Sequence, residues 1–597
     1  MAQKEKTWRV LEAPTPEFLS AHPELPPIIA QLLWTRNIRD QEKIDEFLNP
    51  DYSTDLHDPY LFNEMPKAVE IIFTAIKKQK NIVVHGDYDA DGVSAATILV
   101  STLRKFGAKH VSVFIPHREI DGYGLNLNTI NLLHEQKTDL IITCDCGISN
   151  REEVVRAKDL GLQVVITDHH AVPEKLPPAD AIIHPLVPGE KYPDKGLAGA
   201  AVAFKLVQAL LKKHQESNEY LLDGQPHESY EKWLLDLVAI ATVGDMVPLL
   251  GESRTLTRYG LTVLNKTRNL GLRKLMQIAG LTDEFGKPKR GQFTTETISF
   301  QLAPRINAAG RMDHANTAYM LLMSEDPKEA ETLAIQLNQN NLDRQKLTES
   351  LVAQAREQIK STNQEKNPII FILGTDWSTG ILGLIAGKIK EEFYRPTIVM
   401  GLNDGEVTGS GRSIPEFNMI KNMQARPEFF DKYGGHPQAC GFSLKSPDIL
   451  EDFKSALLKK AEEQFDIQKL QPTITIDAEV DLEDVNWKLY DLLKKFEPFG
   501  QANEEPRYLA KGLTVASIDP VGQDGKHLRL LVKHNTHTIK KTIAFGFGDK
   551  ERHPSDWKNA LHVGDKIDMV FSVDVNEWNG NRELQLTVID IKMLSQS

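Results

Sequence analysis

The sequence predicts an α/β chain: a parallel-sheet domain, a long connecting helix, a second α/β domain and a C-terminal antiparallel barrel. Three observations predict it. Short apolar runs alternate with amphipathic stretches between Asn81 and about Ile183. A polar stretch from about Pro327 to Ser361 keeps its leucines at mostly helical spacings. Near the C-terminus Ile567, Met569, Phe571, Val573 and Val575 recur at every second position. Strands separated by helices form βαβ units and a parallel sheet, whereas strict alternation marks a strand with one buried face.

The elements follow in chain order. The first 50 residues read as a helical lead-in punctuated by proline. NIVVHG reads as a strand and GVSAATILVSTLRKFG as a helix ending at Gly107. VSVFIP, TDLIITCD and LQVVITD read as strands, and NREEVVRAKDLG, between the last two, as a helix closed by Gly161. WLLDLVAIATVGD, Trp233 to Asp245, is mostly apolar and reads as a buried helix. Leu333, Leu337, Leu347 and Leu351 give the long polar helix one packed stripe. NPIIFILG and PTIVMG open a second α/β region, with the glycine-rich stretches GSGRS, read as a loop, and GGHPQACGF after them. LRLLVKH and TIKKTIAFGFG then precede the alternating run, and Asn579-Gly580 signals a tight hairpin turn before Leu584, Leu586 and Val588. The expected division is 1–50 lead-in, 51–325 first domain, 326–362 connecting helix, 363–467 second domain and 468–597 barrel.

Bulk properties narrow the class. A chain of 597 residues exceeds one hydrophobic core. Its 41% apolar and 26% charged residues are those of a globular protein and exclude disorder. No apolar stretch reaches the roughly 20 residues of a membrane span. MAQKEKTWRVLEAP lacks the apolar centre of a signal peptide. Cys144, Cys146 and Cys440 are too few for a disulfide framework and read as small buried hydrophobes, so a cytoplasmic, reducing setting is expected. The net charge of −13 argues against a broad basic footprint for nucleic acid but allows a locally basic channel.

HGDYDADG places Asp87, Asp89 and Asp91 at every second position after an apolar run. Like charges this close are relieved by protonation or by a cation. A calcium loop is excluded, because the closing position is Ile98, which has no oxygen ligand. The other apolar runs also end in potential ligands: Asp145 after one, Asp168, His169 and His170 after another, and Asp245 after the buried helix. Ligands of open parallel sheets bind beyond the carboxyl ends of the strands. His85, Asp89, Asp91, Asp145, His169, His170 and Asp245 would therefore converge. Mixed carboxylate and imidazole ligands suit manganese or magnesium. So many of them suit two ions about 4 Å apart, clamping a phosphoryl group. Each residue alone has a plainer reading as a cap, a turn or a surface pair; the repetition over separate segments weakens it.

HGDYDADG, CDCG, TDHH and VGDMVP together resemble the four motifs of the DHH phosphoesterase superfamily, named for Asp168-His169-His170. GGHPQACGF resembles that family's DHHA1 domain, and WSTGILGLIAGKI, PFGQANEEP and the barrel extend the likeness over nearly everything after residue 50. The whole chain resembles the branch that degrades single-stranded DNA 5′→3′ into 5′-mononucleotides. The resemblance implies that His85, Asp89 and Asp145 hold one divalent ion and that Asp91, Asp145, His169 and Asp245 hold the other, with Asp145 bridging. His170 would face the scissile phosphate, and Asp87 has no assigned role. Arg118, Ser410 and Arg412 would surround the 5′-terminal phosphate, with Gly434, Gly435 and His436 on the substrate side. Arg305, Asn307 and Arg311 of APRINAAGR are further phosphate-side candidates. The barrel resembles an OB-fold, which binds single strands by aromatic stacking and a basic groove. Phe545, Phe547, Trp578, Lys540, Lys541 and Arg582 are its candidates, although Phe545 and Phe547 also fit ordinary strand packing. The family further implies work in recombination and repair beside the single-strand-binding protein and a RecQ-type helicase; a monomer is expected.

One departure is visible: residues 501–506, QANEEP, carry Ala and two Glu where a Gly-Asn-Pro turn is expected. Three rivals remain at this point. A small-substrate phosphodiesterase acting on nano-RNA, phosphoadenosine phosphate or a cyclic dinucleotide generally lacks the extra barrel. A family II pyrophosphatase has no use for one. A non-catalytic single-strand binder would not need the intact ligand set.

Overall fold

The structure is a computed structural model and describes residues 5–594 apart from 290, 535–537, 550–552, 554 and 579–580. It forms two compact units, 49–347 with 498–503, and 1–48 with 348–497 and 504–597.

The first unit is built on a five-stranded, all-parallel sheet: β1 (Ile82–His85), β2 (Val111–Phe114), β3 (Leu140–Cys144), β4 (Gln163–Thr167) and β5 (Ala181–Ile183), in the order β2-β1-β3-β4-β5. Alternate side chains leave the sheet on opposite faces. Val84, Ile142 and Val165 join one core, and Val83, Ile141, Val164 and Ile166 join the other. Burial on both faces explains why these strands are continuous apolar runs. The order reverses between β1 and β3. In a doubly wound sheet that switch point opens the crevice that holds ligands, at the carboxyl ends of the strands. His85 closes β1, and Asp145 follows β3 directly.

Helices complete this unit: α1 (Ala90–Lys105), α2 (Gly199–Gln215), α3 (Leu235–Gly244), α4 (Gly251–Leu264) and α5 (Ala303–Met312). Residues 235–243 of α3 are all buried, as the apolar run predicts. The long helix α6 is Pro327–Ser361.

The second unit holds a mixed sheet of β6 (Ile370–Thr375), β7 (Thr397–Asn403), β8 (Glu406–Arg412), β9 (Phe430–His436) and β10 (Ala439–Leu444), in the order β9-β10-β8-β7-β6. Helix α7 (Thr379–Phe393) joins β6 to its parallel neighbour β7. The barrel strands are β11 (Tyr508–Val521), β12 (His527–Lys533), β13 (Ile539–Ala544), β14 (Lys566–Trp578) and β15 (Asn581–Met593). Pairing of β11 with β14 closes the barrel, and β13 meets β15 in parallel. The expected tip Asn579-Gly580 lies outside the described residues.

Two sequence expectations are corrected. The lead-in is not wholly helical: Thr7–Val10 is a strand paired in parallel with Thr473–Ile476, and Trp8 Nε1 donates to Asp590 at 2.8 Å. Its partners lie more than 450 positions along the chain, so no local pattern reveals it. GSGRS is not a loop but the end of β8. Its glycines are there for packing: a Cβ on Gly409 would lie 2.2 Å from the ring of Phe442, and one on Gly411 would lie 2.7 Å from Cys440 Sγ. Close packing thus overrides the low strand propensity of glycine.

Candidate metal centre

Asp145 adopts a left-handed backbone, φ +61°, as its N–H donates to Thr167 O at 3.0 Å. Such a conformation costs energy for a non-glycine residue, although aspartate tolerates it better than most. It turns the carboxylate sideways off the strand end. His169 Nε2 then lies 3.1 Å from Asp145 Oδ1, 3.6 Å from Asp245 Oδ2 and 3.8 Å from Asp91 Oδ2. Among the described residues three trios bring one ligand atom each to within 4.8 Å of one another: Asp145 with His169 and His170, Asp91 with His169 and Asp245, and Asp87 with Asp89 and Asp145. Asp145 stands in two of them. Asp87, which the sequence left without a role, joins Asp89. His85 stands in none of the trios, yet its Nε2 is buried without a partner.

The donor set fits divalent cations. His85 Nε2, Asp87 Oδ1, Asp145 Oδ1 and His169 Nε2 are all buried and make no hydrogen bond. Polar atoms left so are costly unless something else satisfies them. Without a cation, burial pushes His85 down to about 4. Burial, with the charge of His170 beside it, takes His169 to about 3, so both imidazoles are neutral at pH 7 and free to donate a lone pair. Burial and then the neighbouring aspartates raise Asp91 to about 7, Asp245 to about 8 and Asp145 well above the carboxylate range. Acids that resist ionisation together are acids that a cation would hold ionised.

His170 is set apart from this group. Burial disfavours its charge, but the hydrogen bond from Nδ1 to Asp168 Oδ1, 2.8 Å, and the charge of Asp168 outweigh it and raise His170 to about 9. Asp168 is itself anchored by Ile148 N–H at 2.9 Å. Tyr123 is a participant that motif reading missed. Its O–H donates to Asp145 O at 3.1 Å, and its oxygen lies 2.9 Å from His170 Nδ1. Gly122 and Gly124 on either side, both at positive φ, are the signal that could have found it. Cys146 is another, its Sγ 3.7 Å from His85 Nδ1.

The remaining candidates separate. Arg118 lies with its guanidinium 4.1 Å from the Tyr88 ring centre, and its Nε is buried without a partner. Arg305 is buried and turned toward protein acceptors. Its Nε donates to Asn338 Oδ1 at 3.0 Å and its Nη1 to Gln301 O at 2.7 Å, tying α5 to α6. Asn307 accepts from Ala90 N–H at 2.7 Å and so holds the start of α1. Arg311 is in the last turn of α5. In the second unit Arg412 Nη1 donates to Ser410 Oγ at 3.0 Å. Gly434, Gly435 and His436 are exposed on β9. In the barrel Phe547 is buried, 3% exposed, whereas Phe545 is 59% exposed. Lys541 pairs with Glu583, Lys540 donates to Val485 O, and the Arg582 guanidinium lies over Trp487. Trp578 ends β14, and its side chain lies outside the described residues.

The QANEEP departure also finds a place. Residues 498–503 belong to the first unit. Pro498, Phe499 and Gln501 give their carbonyls to Arg254 Nη1, Thr295 Oγ1 and Leu249 N–H at 3.3, 2.7 and 2.8 Å. This loop is bonded to protein, and Ala502 takes a positive φ of 61° there.

Comparison with known proteins agrees with this architecture. Residues 81–242 match the DHH family N-terminal domain, 365–464 the DHHA1 domain and 476–590 the RecJ OB domain. The single-stranded-DNA-specific exonuclease RecJ of Bacillus subtilis is 34% identical over 94% of this chain and 68% of its own length. That of Haemophilus influenzae is 30% identical over 98% and 99%. The crystal structure of RecJ with Mn2+ from Thermus thermophilus superposes with a TM-score of 0.79 at 28% identity, covering 98% of this chain and 79% of that one. The same protein has also been solved with Mg2+.

Proposed function

The chain belongs to the RecJ family of single-stranded-DNA-specific exonucleases, and from that premise we propose how its residues divide the reaction. It is a metal-dependent exodeoxyribonuclease that hydrolyses single-stranded DNA from the 5′ end and releases 5′-mononucleotides. When bound, two divalent cations, Mn2+ or Mg2+, supply a nucleophilic water near neutral pH and draw off charge from the phosphoryl oxygens.

The protein side of the reaction is assigned as follows. Asp91, His169 and Asp245 hold one ion, and Asp89, with His85 or Asp87, holds the other; Asp145 serves both. The single observation that carries this reading is His169 Nε2, unbonded, within 3.1–3.8 Å of carboxylates from three separate segments. His170, its Nδ1 fixed by Asp168, keeps Nε2 for the scissile phosphate. In the first unit Arg118 and Arg311 are the phosphate-side candidates; in the second, Ser410, Arg412 and the Gly434–His436 strand end are the candidates for the 5′-terminal nucleotide, and the barrel those for the strand downstream. The division at 51–325, 326–362, 363–467 and 468–597 is supported by the three matched segments.

Among the described residues no helix is long and apolar enough to cross a membrane. Family membership supports a cytoplasmic monomer that works with the single-strand-binding protein and a RecQ-type helicase; light scattering and pull-down with the purified partners test this. The nuclease assay uses single- and double-stranded oligonucleotides with a 5′ phosphate and a 3′ label. Ladders shortening from the 5′ end, on single strands only and abolished by EDTA, are expected. Turnover of a dinucleotide or pyrophosphate without DNA cleavage would overturn the reading.

A further inference from the structure

Helix α2 begins without a cap of its own. Its N-cap residue is Ala198, whose side chain has nothing to offer the free N–H groups of the first turn. Those groups are buried, and buried donors need partners. The partner comes from another element. Gly199 N–H donates to Asp91 Oδ2 at 2.7 Å, and Ala200 N–H donates to Asp91 Oδ1 at 2.6 Å. Both oxygens of one carboxylate are thereby occupied, and Asp91 is 1% exposed.

A second observation is independent of the first. A Cβ on Gly199 would lie 2.4 Å from Asp145 Oδ1, 2.6 Å from Asp145 Cβ and 2.7 Å from Asp145 Cγ. Its clash reaches the root of that side chain, which cannot swing away as a flexible tip would. Asp145 Oδ1 is itself buried and without a hydrogen bond. The start of α2 therefore grips one acid by its N–H groups and leaves a bare Cα for another to rest against.

We propose that the N-terminus of α2 is a positioning element of the metal centre: Asp91 caps the helix in trans through the N–H groups of Gly199 and Ala200, and the missing side chain of Gly199 sets the place of the Asp145 carboxylate. Asp91 then has two duties, cap and ligand, where Asp145 has only one. Helix α1, by contrast, is capped locally: Asp89 is its own N-cap residue, and its Oδ1 accepts from Asp91 N–H and Gly92 N–H at 2.9 and 3.1 Å. Helix termini attract carboxylates through their unsatisfied N–H groups and the helix dipole. Two of the crowded acids are thus oriented by helix starts before any cation arrives. The inference rests on the reading of Asp91 and Asp145 as ligands, but the test of the cap needs neither metal nor DNA.

The experiment compares the EDTA-treated full chain with Asp91→Ala, Asp91→Asn and Asp145→Ala by thermal melting and by hydrogen exchange of the amides at the start of α2. Removing Asp145 breaks no hydrogen bond of its carboxylate oxygen Oδ1, whereas removing Asp91 orphans two N–H groups. Asp91→Ala is expected to melt about 3 °C or more below Asp145→Ala, the scale of losing one cap from a domain of this size. Asp91→Asn, which keeps one acceptor, falls between. Exchange at Gly199 and Ala200 speeds up in Asp91→Ala and stays slow in Asp145→Ala. Equal melting temperatures and equal exchange would overturn the proposal. If Asp91→Ala does not fold, exchange in Asp91→Asn decides: unchanged protection at both amides sinks the idea. Gly199→Ala adds a ligand-side readout by calorimetry with Mn2+ alone, at least 10-fold weaker binding being expected and unchanged binding counting against the role of the bare Cα. A failed nuclease assay with the melting order intact would remove the proposed function and leave the cap standing.

Discussion

The strand ends of the first unit and the surface of the barrel both carry charged side chains, and they treat them in opposite ways. At the strand ends His85, Asp87, Asp145 and His169 each bury a polar atom that makes no hydrogen bond. In the barrel Lys541 is paired with Glu583 and Arg529 with Asp519, all with half their surface in water. An exposed pair costs little and contributes little. A buried atom without a partner costs far more, so a cluster of them points to a ligand that completes it. The difference teaches where chemistry is built into the fold and where binding is left to the surface.

The largest test of this contrast is Asp145→Ala. It should lower kcat by more than about 10³-fold, beyond the roughly 10–100-fold expected for partners of ligands. Single-strand affinity in EDTA should hold, as filter binding would show. The buried acid Asp236 supplies a control inside the same unit, because its carboxylate has partners: Thr267 Oγ1 and Leu237 N–H donate to it. Burial still raises it to about 6 from the usual 3.8. Between those values the folded chain keeps a proton that the unfolded chain has released, so Asp236 makes stability fall as pH rises from about 4 to 6. Asp236→Asn should flatten the melting-temperature profile over that window by up to about 1.4 kcal/mol per pH unit. An unchanged slope would show that the proton is not there.

On the barrel, Phe545→Ala should weaken single-strand binding by about 1–3 kcal/mol, the worth of one stacked base, with little change in cleavage of very short oligonucleotides. Lys541→Ala should do less, its charge being already paired. Phe547→Ala should instead lower stability, since its ring is buried. The smallest effect is expected at Ala502, where φ is +61°. Ala502→Gly should raise stability by about 1 kcal/mol by relieving the left-handed strain, read as a higher melting temperature with unchanged activity.

The same contrast explains what the sequence disclosed. The candidate ligands sit in short motifs at strand ends, and the sheet rule brings them together without knowledge of any contact, as Asp145 and His169 illustrate. Arg305 carries a charge that the sequence shows, but only tertiary structure shows that its Nε and Nη1 donate to Asn338 and Gln301. Tyr123 acts through a hydroxyl 47 residues from His170, which no periodicity encodes. GSGRS resembles a loop because glycine is poor in strands, and the aromatic ring that demands it, Phe442, comes from a strand further along. In the barrel, alternation placed the strands but could not say that Phe545 faces water and Phe547 the core.

The central claim is that acids and imidazoles from separate strand ends form one centre for two cations with Asp145 between them. Titration of the metal-free full chain with Mn2+, followed by electron paramagnetic resonance, tests it most directly. Two ions per chain with a spin-coupled signal are predicted, and Asp145→Ala should lose the coupling and at least one ion. A single uncoupled ion in the native chain, or a coupled pair that survives Asp145→Ala, would contradict the account.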